Sequence, residues 1–109
     1  MSHEKSIVLI EALNRCAIEC GHCAMACLDE EDVRMLTRCM KLGLDCAEVC
    51  RTTASLLSRG SDHGVHLLNE CAEICHACAN ECEKHSHMEH CKRCAEECRH
   101  CAEECSATV

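Results

Sequence analysis

Sixteen cysteines give this chain the means for thiolate chemistry, and they fall in four runs. The runs are Cys16, Cys20, Cys23 and Cys27; Cys39, Cys46 and Cys50; Cys71, Cys75, Cys78 and Cys82; and Cys91, Cys94, Cys98, Cys101 and Cys105. Thiolates bind soft metal ions, hold iron–sulfur clusters or pair as disulfides, and spacing separates these uses. Within each run the steps are three, four or seven residues. At roughly 100° per residue such steps return to one side of an α-helix. With Cys16 at zero, Cys20, Cys23 and Cys27 point to about 40°, −20° and 20°. Each run is therefore a narrow stripe of thiols on one helix.

The helices that carry these stripes are expected at about residues 4–28, 30–59, 63–84 and 87–106, within one domain spanning 1–109. Asp29 offers an N-cap for the second helix, Gly60 a C-cap after it, and Ser61 or Asp62 the next N-cap. Ser86 and Glu89 match a capping box for the fourth. Short connections predict an all-α, antiparallel up-down-up-down four-helix bundle. Alanine follows cysteine repeatedly, as at Ala17, Ala24, Ala47, Ala72, Ala79, Ala95 and Ala102, so the helices can approach closely. Glu19, Arg51, Glu73, Glu81, Glu96 and Glu103 are expected on the outer faces. Each helix is amphipathic only if cysteine counts as its buried residue.

The bundle's ends differ. One gathers Leu9, Leu13, Leu57, Leu67 and Leu68 as an aliphatic plug. The other gathers Met35, placed on the second stripe by helical phase, with His85, His87, Met88 and His90. Gly43 stands in the second stripe where a further cysteine would fit, and close packing of the backbone is a reason for it. His22, His76 and His100 point outward by helical phase.

Composition narrows the chemistry. There is no Phe, Tyr or Trp, so aliphatic packing alone gives a thin core and something else must fill the middle. The net charge of −8 and scattered Lys and Arg argue against a nucleic-acid partner. No stretch approaches a membrane span, and the apolar run Ile7–Ile10 is too short for a signal peptide. The expected compartment is the cytoplasm, where thiols stay reduced and metal chemistry outranks a disulfide framework. Cysteines at i, i+3 and i+4 of one helix also have diverging Cβ vectors that suit disulfides poorly.

Zinc favours isolated tetrahedral sites, and a cubane cluster favours cysteines converging from loops. Neither accounts for a continuous lining. Cu(I) does, because it is soft and accepts low coordination with bridging sulfurs. Two thiolates per ion and two ions per thiolate give about one Cu(I) per Cys, on the order of sixteen. Equal numbers of Cu(I) would also neutralise thiolates that are prohibitive to bury alone.

The stripes RCAIECGHCAMAC, RCMKLGLDCAEVC, ECAEICHACANEC and HCKRCAEECRHCAEEC, with the turn ECEKHSHMEHC, closely resemble the cytosolic bacterial copper storage proteins. The resemblance covers nearly the whole chain. It implies high-capacity Cu(I) storage inside each bundle, assembly as a homotetramer, and copper entering at the histidine-bearing end. By that likeness His85, His87 and His90 match the family's His-rich turn. No catalytic triad, carboxylate pair or phosphate loop is present to support an enzyme. An iron–sulfur electron carrier and a one-ion copper chaperone are the alternative functions. Iron and sulfide content would mark the first, and saturation at one or two equivalents the second.

Overall fold

The computed structural model describes residues 2–108, which are almost entirely helical. Helix α1 spans His3–Cys27, α2 Thr37–Ser58, α3 Asp62–His66, α4 Leu68–Glu83 and α5 Glu89–Thr108, and a 3-10 turn at Val33–Leu36 precedes α2. The four long helices close a ring in which α1 and α4 each pack against both α2 and α5. The resulting antiparallel bundle is a rod of 45 × 18 × 18 Å. Fold class is as the cysteine phase predicts.

Local chemistry sets the boundaries. Ser2 caps α1 by accepting from the Lys5 N–H. Asp29 does not cap the next helix: its N–H bonds to the Ala26 carbonyl and prolongs the turn leaving α1. Residues 30–32 then complete the turn, and the chain enters α2 through the 3-10 segment. This delay changes phase, because 3-10 backbone turns faster than α-helix. Leu36 is thereby buried, while Met35, expected on the stripe, is 63 % exposed.

Gly60 closes α2 with φ of 72°, the left-handed conformation that glycine adopts freely. Its N–H bonds to the Leu57 carbonyl and that of Ser61 to Leu56, which forms a Schellman motif. Ser61, rather than Asp62, caps α3. The expected third helix is divided at Leu67, whose N–H is shared between the His63 and Gly64 carbonyls. A Cβ at Gly64 would lie 3.0 Å from Leu57 atoms, so glycine lets α3 fold tightly over the end of α2. Helix α5 starts at Glu89, beyond the residue expected from a Ser86 capping box.

The plug forms as expected at the end where α3 sits. Leu9, Leu13, Leu57 and Leu68 are buried, and Leu67 is half-buried. Thr53 joins them, donating to the Val49 carbonyl and accepting from the Cys71 thiol at 3.2 Å.

Candidate metal centre

All sixteen cysteines are free thiols with at most 2 % exposure, and all point into the bundle. Sequence phase located them because each stripe lies on an uninterrupted part of its helix. Gly43 has the role that its stripe position implied. A Cβ there would stand 3.1 Å from the Cys20 carbonyl oxygen and 3.8 Å from the Ala24 Cβ. Helix α2 therefore rides against the backbone of α1 where a side chain would not fit.

The sulfurs lie in tiers. Deepest is the group Cys16, Cys46, Cys50 and Cys75, next is Cys16, Cys20, Cys46 and Cys98, and then Cys20, Cys78, Cys94 and Cys98. Cys23, Cys82 and Cys94 follow, and Cys23, Cys27, His90 and Cys91 complete the series at the far end. Within each group the ligand atoms lie within 4.8 Å of one another. The shortest sulfur–sulfur contacts between helices are Cys39–Cys82 at 3.4 Å and Cys20–Cys98 at 3.5 Å. Cys71, Cys101 and Cys105 extend the lining toward the plug, where Cys71 meets Thr53.

Such crowding couples the thiols' acidities. A thiolate surrounded by thiols accepts their S–H bonds, but a second charge beside it has no such support. Cys46 is held far below the ordinary thiol range, by Cys16 first and then Cys20, Cys50 and Cys75. Cys94 is held down in the same way by Cys20, Cys23, Cys78 and Cys82. Their neighbours Cys20, Cys50, Cys82 and Cys98 are driven far up, chiefly by sharing protons with other cysteines. Cys27 is pushed up to about 11, first by burial and then by the charge of Cys39. Burial opposes charge on every thiol of the lining, and each thiolate formed there repels the next. Soft monovalent ions would replace the thiol protons and remove the repulsion.

The three histidines occupy different settings. His90 alone touches the thiols: Nδ1 lies 3.4 Å from Cys23 Sγ and 3.6 Å from Cys91 Sγ. Its Nε2 lies 3.3 Å from Glu30 Oε1. A carboxylate only accepts, so Nε2 carries the proton and Nδ1 turns its lone pair toward the sulfurs. His85 is buried, with Nε2 3.5 Å from Glu81 Oε2 but not in hydrogen-bond geometry. His87 is exposed. His85 and His87 line a groove of about 470 Å³ with Glu30, Glu31, Asp32, Met35, Leu36 and Met88. Met35 thus reaches the mouth from the rim rather than from the stripe.

Glu81 corrects the sequence expectation. It is 7 % exposed rather than on the outer face, and Arg38 and Lys84 hold its Oε1 at 3.4 and 3.2 Å. Helical phase places Glu81 on the flank of α4, and the Arg38 of α2 covers it across the seam. Its position one turn before His85 was the available signal. His22, His76 and His100 are exposed, as phase predicts.

A profile of the copper storage protein family matches residues 2–109. The chain belongs to that family. It is similar to a cytosolic copper storage protein from Streptomyces lividans solved during copper loading with five coppers. The identity is 44 %, covering 96 % of this chain and 92 % of that one, with a TM-score of 0.91. The S. lividans protein Ccsp loaded with ten copper equivalents gives 43 % identity, 96 % and 83 % coverage, and a TM-score of 0.91. Copper storage protein 3 from Bacillus subtilis, without metal, gives 36 % identity, 94 % and 97 % coverage, and a TM-score of 0.88. All three matches extend over nearly the whole of this chain.

Proposed function

We propose that this chain stores Cu(I) as cargo in the cytoplasm, within the bundle and without a catalytic cycle. The observation that carries the reading is the continuous series of sulfur groups, each sharing a cysteine with the next. Zinc sites or a single cluster would need separate ligand sets, whereas bridging Cu(I) uses shared thiolates. The ligands in this reading are all sixteen cysteines, with His90 adding a nitrogen at the mouth. His85 and His87 act as transient ligands on the groove through which copper enters. Assembly as a homotetramer is part of the same reading and rests on family likeness.

Titration of the reduced protein with Cu(I) against a competing chelator tests it. Saturation on the order of sixteen equivalents is expected from about one ion per thiolate. Saturation at one or two equivalents would replace storage with a chaperone's single-ion delivery. Stoichiometric iron and acid-labile sulfide in anaerobically purified protein would replace it with electron transfer.

A further inference from the structure

Thr53 stands where the thiol lining meets the plug. It lies three residues after Cys50 and seven after Cys46 on α2, so helical phase turns it to the face that carries those cysteines. One turn further along that face is Leu57, a residue of the plug. Thr53 is fully buried, and among the described residues it is the only buried hydroxyl. Packing alone does not call for it, because valine has nearly the same shape and no polar group to satisfy.

The hydroxyl joins the helix backbone to the lining. Oγ1 donates to the Val49 carbonyl at 2.7 Å, the back-bond to residue i−4 that a helical threonine makes. That bond fixes the side-chain rotamer and leaves the lone pairs of Oγ1 to accept the S–H of Cys71 at 3.2 Å. The thiol partners of Cys71 are Cys105 of α5 and Cys50 of α2. Elsewhere in the lining the thiols meet sulfur, and at the mouth His90.

Loading reverses what this contact requires. Once Cu(I) has replaced the Cys71 proton, the sulfur can only accept. A hydroxyl still committed to Val49 would then turn a lone pair toward a thiolate. Rotation about the Cβ–Oγ1 bond removes that conflict, because it swings the proton from the carbonyl to the sulfur with no heavy atom displaced. Val49 keeps a partner throughout, since its carbonyl also takes the Thr53 backbone N–H within α2.

We propose that Thr53 is a positioning residue for the copper nearest the plug, its hydroxyl accepting from the Cys71 thiol in the metal-free protein and donating to the Cys71 thiolate once Cu(I) is bound. The thiol proton leaves to solvent as the Cu–S bond forms, so charge is conserved. A hydrogen bond to the thiolate fixes the direction of the sulfur and strengthens retention of its ion without adding a ligand. The proposal rests on the storage reading and adds to it a group that is not itself a copper ligand.

The test compares reduced wild-type protein with Thr53→Val, which keeps the shape and removes the hydroxyl, and Thr53→Ser, which keeps the hydroxyl. Each is saturated with Cu(I), and free Cu(I) is then lowered in steps with bathocuproine disulfonate. At each step the freed thiols are alkylated and mapped. Capacity should be the same in all three, because no sulfur is lost. In Thr53→Val, Cys71 should be freed at a free Cu(I) concentration about tenfold higher than in wild type. Thr53→Ser should stay close to wild type, and Cys23 and Cys91 at the mouth should be freed alike in all three. Release of Cys71 at the same point in wild type and Thr53→Val, or equal weakening in both variants, would overturn the role of the hydroxyl while leaving storage intact. Wild-type saturation at one or two equivalents would overturn both. Far-UV circular dichroism checks that the variants remain helical. A second arm needs no variant: the ¹³C shift of the Val49 carbonyl should move when wild-type protein is loaded, as one of its two hydrogen bonds is withdrawn, and a shift that stays fixed would refute the turn of the hydroxyl.

Discussion

The two ends of this bundle share a thiol lining but little else. At the plug, Leu9, Leu13 and Leu68 have at most 1 % exposure, and the hydroxyl of Thr53 is satisfied internally. At the mouth, His90 reaches from the thiols to Glu30, and His85 and His87 line an open groove. Aliphatic side chains exclude water and offer no lone pair, so the plug supplies packing and a barrier. Imidazole, carboxylate and thioether groups exchange ligands and tolerate water, which suits this end to the entry proposed for it. The difference gives direction to a tube whose wall is otherwise uniform.

That contrast breaks most readily at the plug. Leu13→Ala should destabilise the metal-free protein by about 2–5 kcal/mol, because it removes a side chain that the surrounding helices cannot replace. His87→Ala, on an exposed side chain, should change stability by less than about 0.5 kcal/mol. Urea unfolding of the reduced proteins measures both. Equal losses would mean that the mouth is as much a packing element as the plug.

Gly43 is the next sharpest point. Alanine is favoured over glycine in a helix interior by about 1 kcal/mol. Here the new methyl would press on the Cys20 carbonyl oxygen, an atom fixed within α1, at 3.1 Å. Overpacking of this kind costs about 1–3 kcal/mol, so Gly43→Ala should be destabilising by about 1 kcal/mol despite its helix propensity. A gain in the urea midpoint would show that α1 and α2 can separate.

Much of this is legible in the sequence, for reasons that lie in particular residues. The cysteine stripes sit inside long helices, where period alone fixes direction, and Gly43 betrayed a close approach by interrupting one of them. Met35 was misplaced because phase was carried back through a 3-10 turn that α-helical spacing cannot describe. Glu81 was misplaced because its burial depends on Arg38, a residue of another helix. Asp29 and Ser86 are good caps by residue type, but the chain continues turning past both. Interior periodicity is a property of one helix, whereas ends and seams depend on two.

The lining also makes stability depend on pH, more gently than the core substitutions. Cys27 has its pKa raised from 9.0 to about 11. Below pH 9 its thiol is neutral in both folded and unfolded protein, and its contribution is fully present. Between pH 9 and 11 the unfolded chain loses the proton first, so stability falls as pH rises and the contribution is gone above about 11. Cys71 works in the opposite sense, being drawn down to about 4 chiefly by Cys105 and Cys50. Its contribution is complete above pH 9 and is lost as pH falls through about 4. Over the alkaline window the raised thiols decide the sign, so the urea midpoint of the reduced, metal-free protein should fall from pH 9 to 11. A rising midpoint would show that the thiolates support one another more than burial opposes them.

The smallest expected effect tests the mouth itself. Glu30 holds the Nε2 side of His90, which leaves Nδ1 as the nitrogen presented to Cys23 and Cys91. In Glu30→Gln the amide can donate or accept, and the imidazole is free to carry its proton on either nitrogen. Partners of this kind are worth about tenfold or more in metal affinity. Glu30 is partly exposed, its side chain at 39 %, so a smaller effect, on the order of threefold, is expected in Cu(I) loading rate. Capacity should not change, because no sulfur is removed. Stopped-flow loading of the variant at low and high salt separates the two roles available to Glu30. A tautomer effect persists in high salt, whereas attraction of the cation by a carboxylate fades as salt rises. Loss of the difference in salt would leave His90 as a ligand but remove Glu30 as the group that orients it.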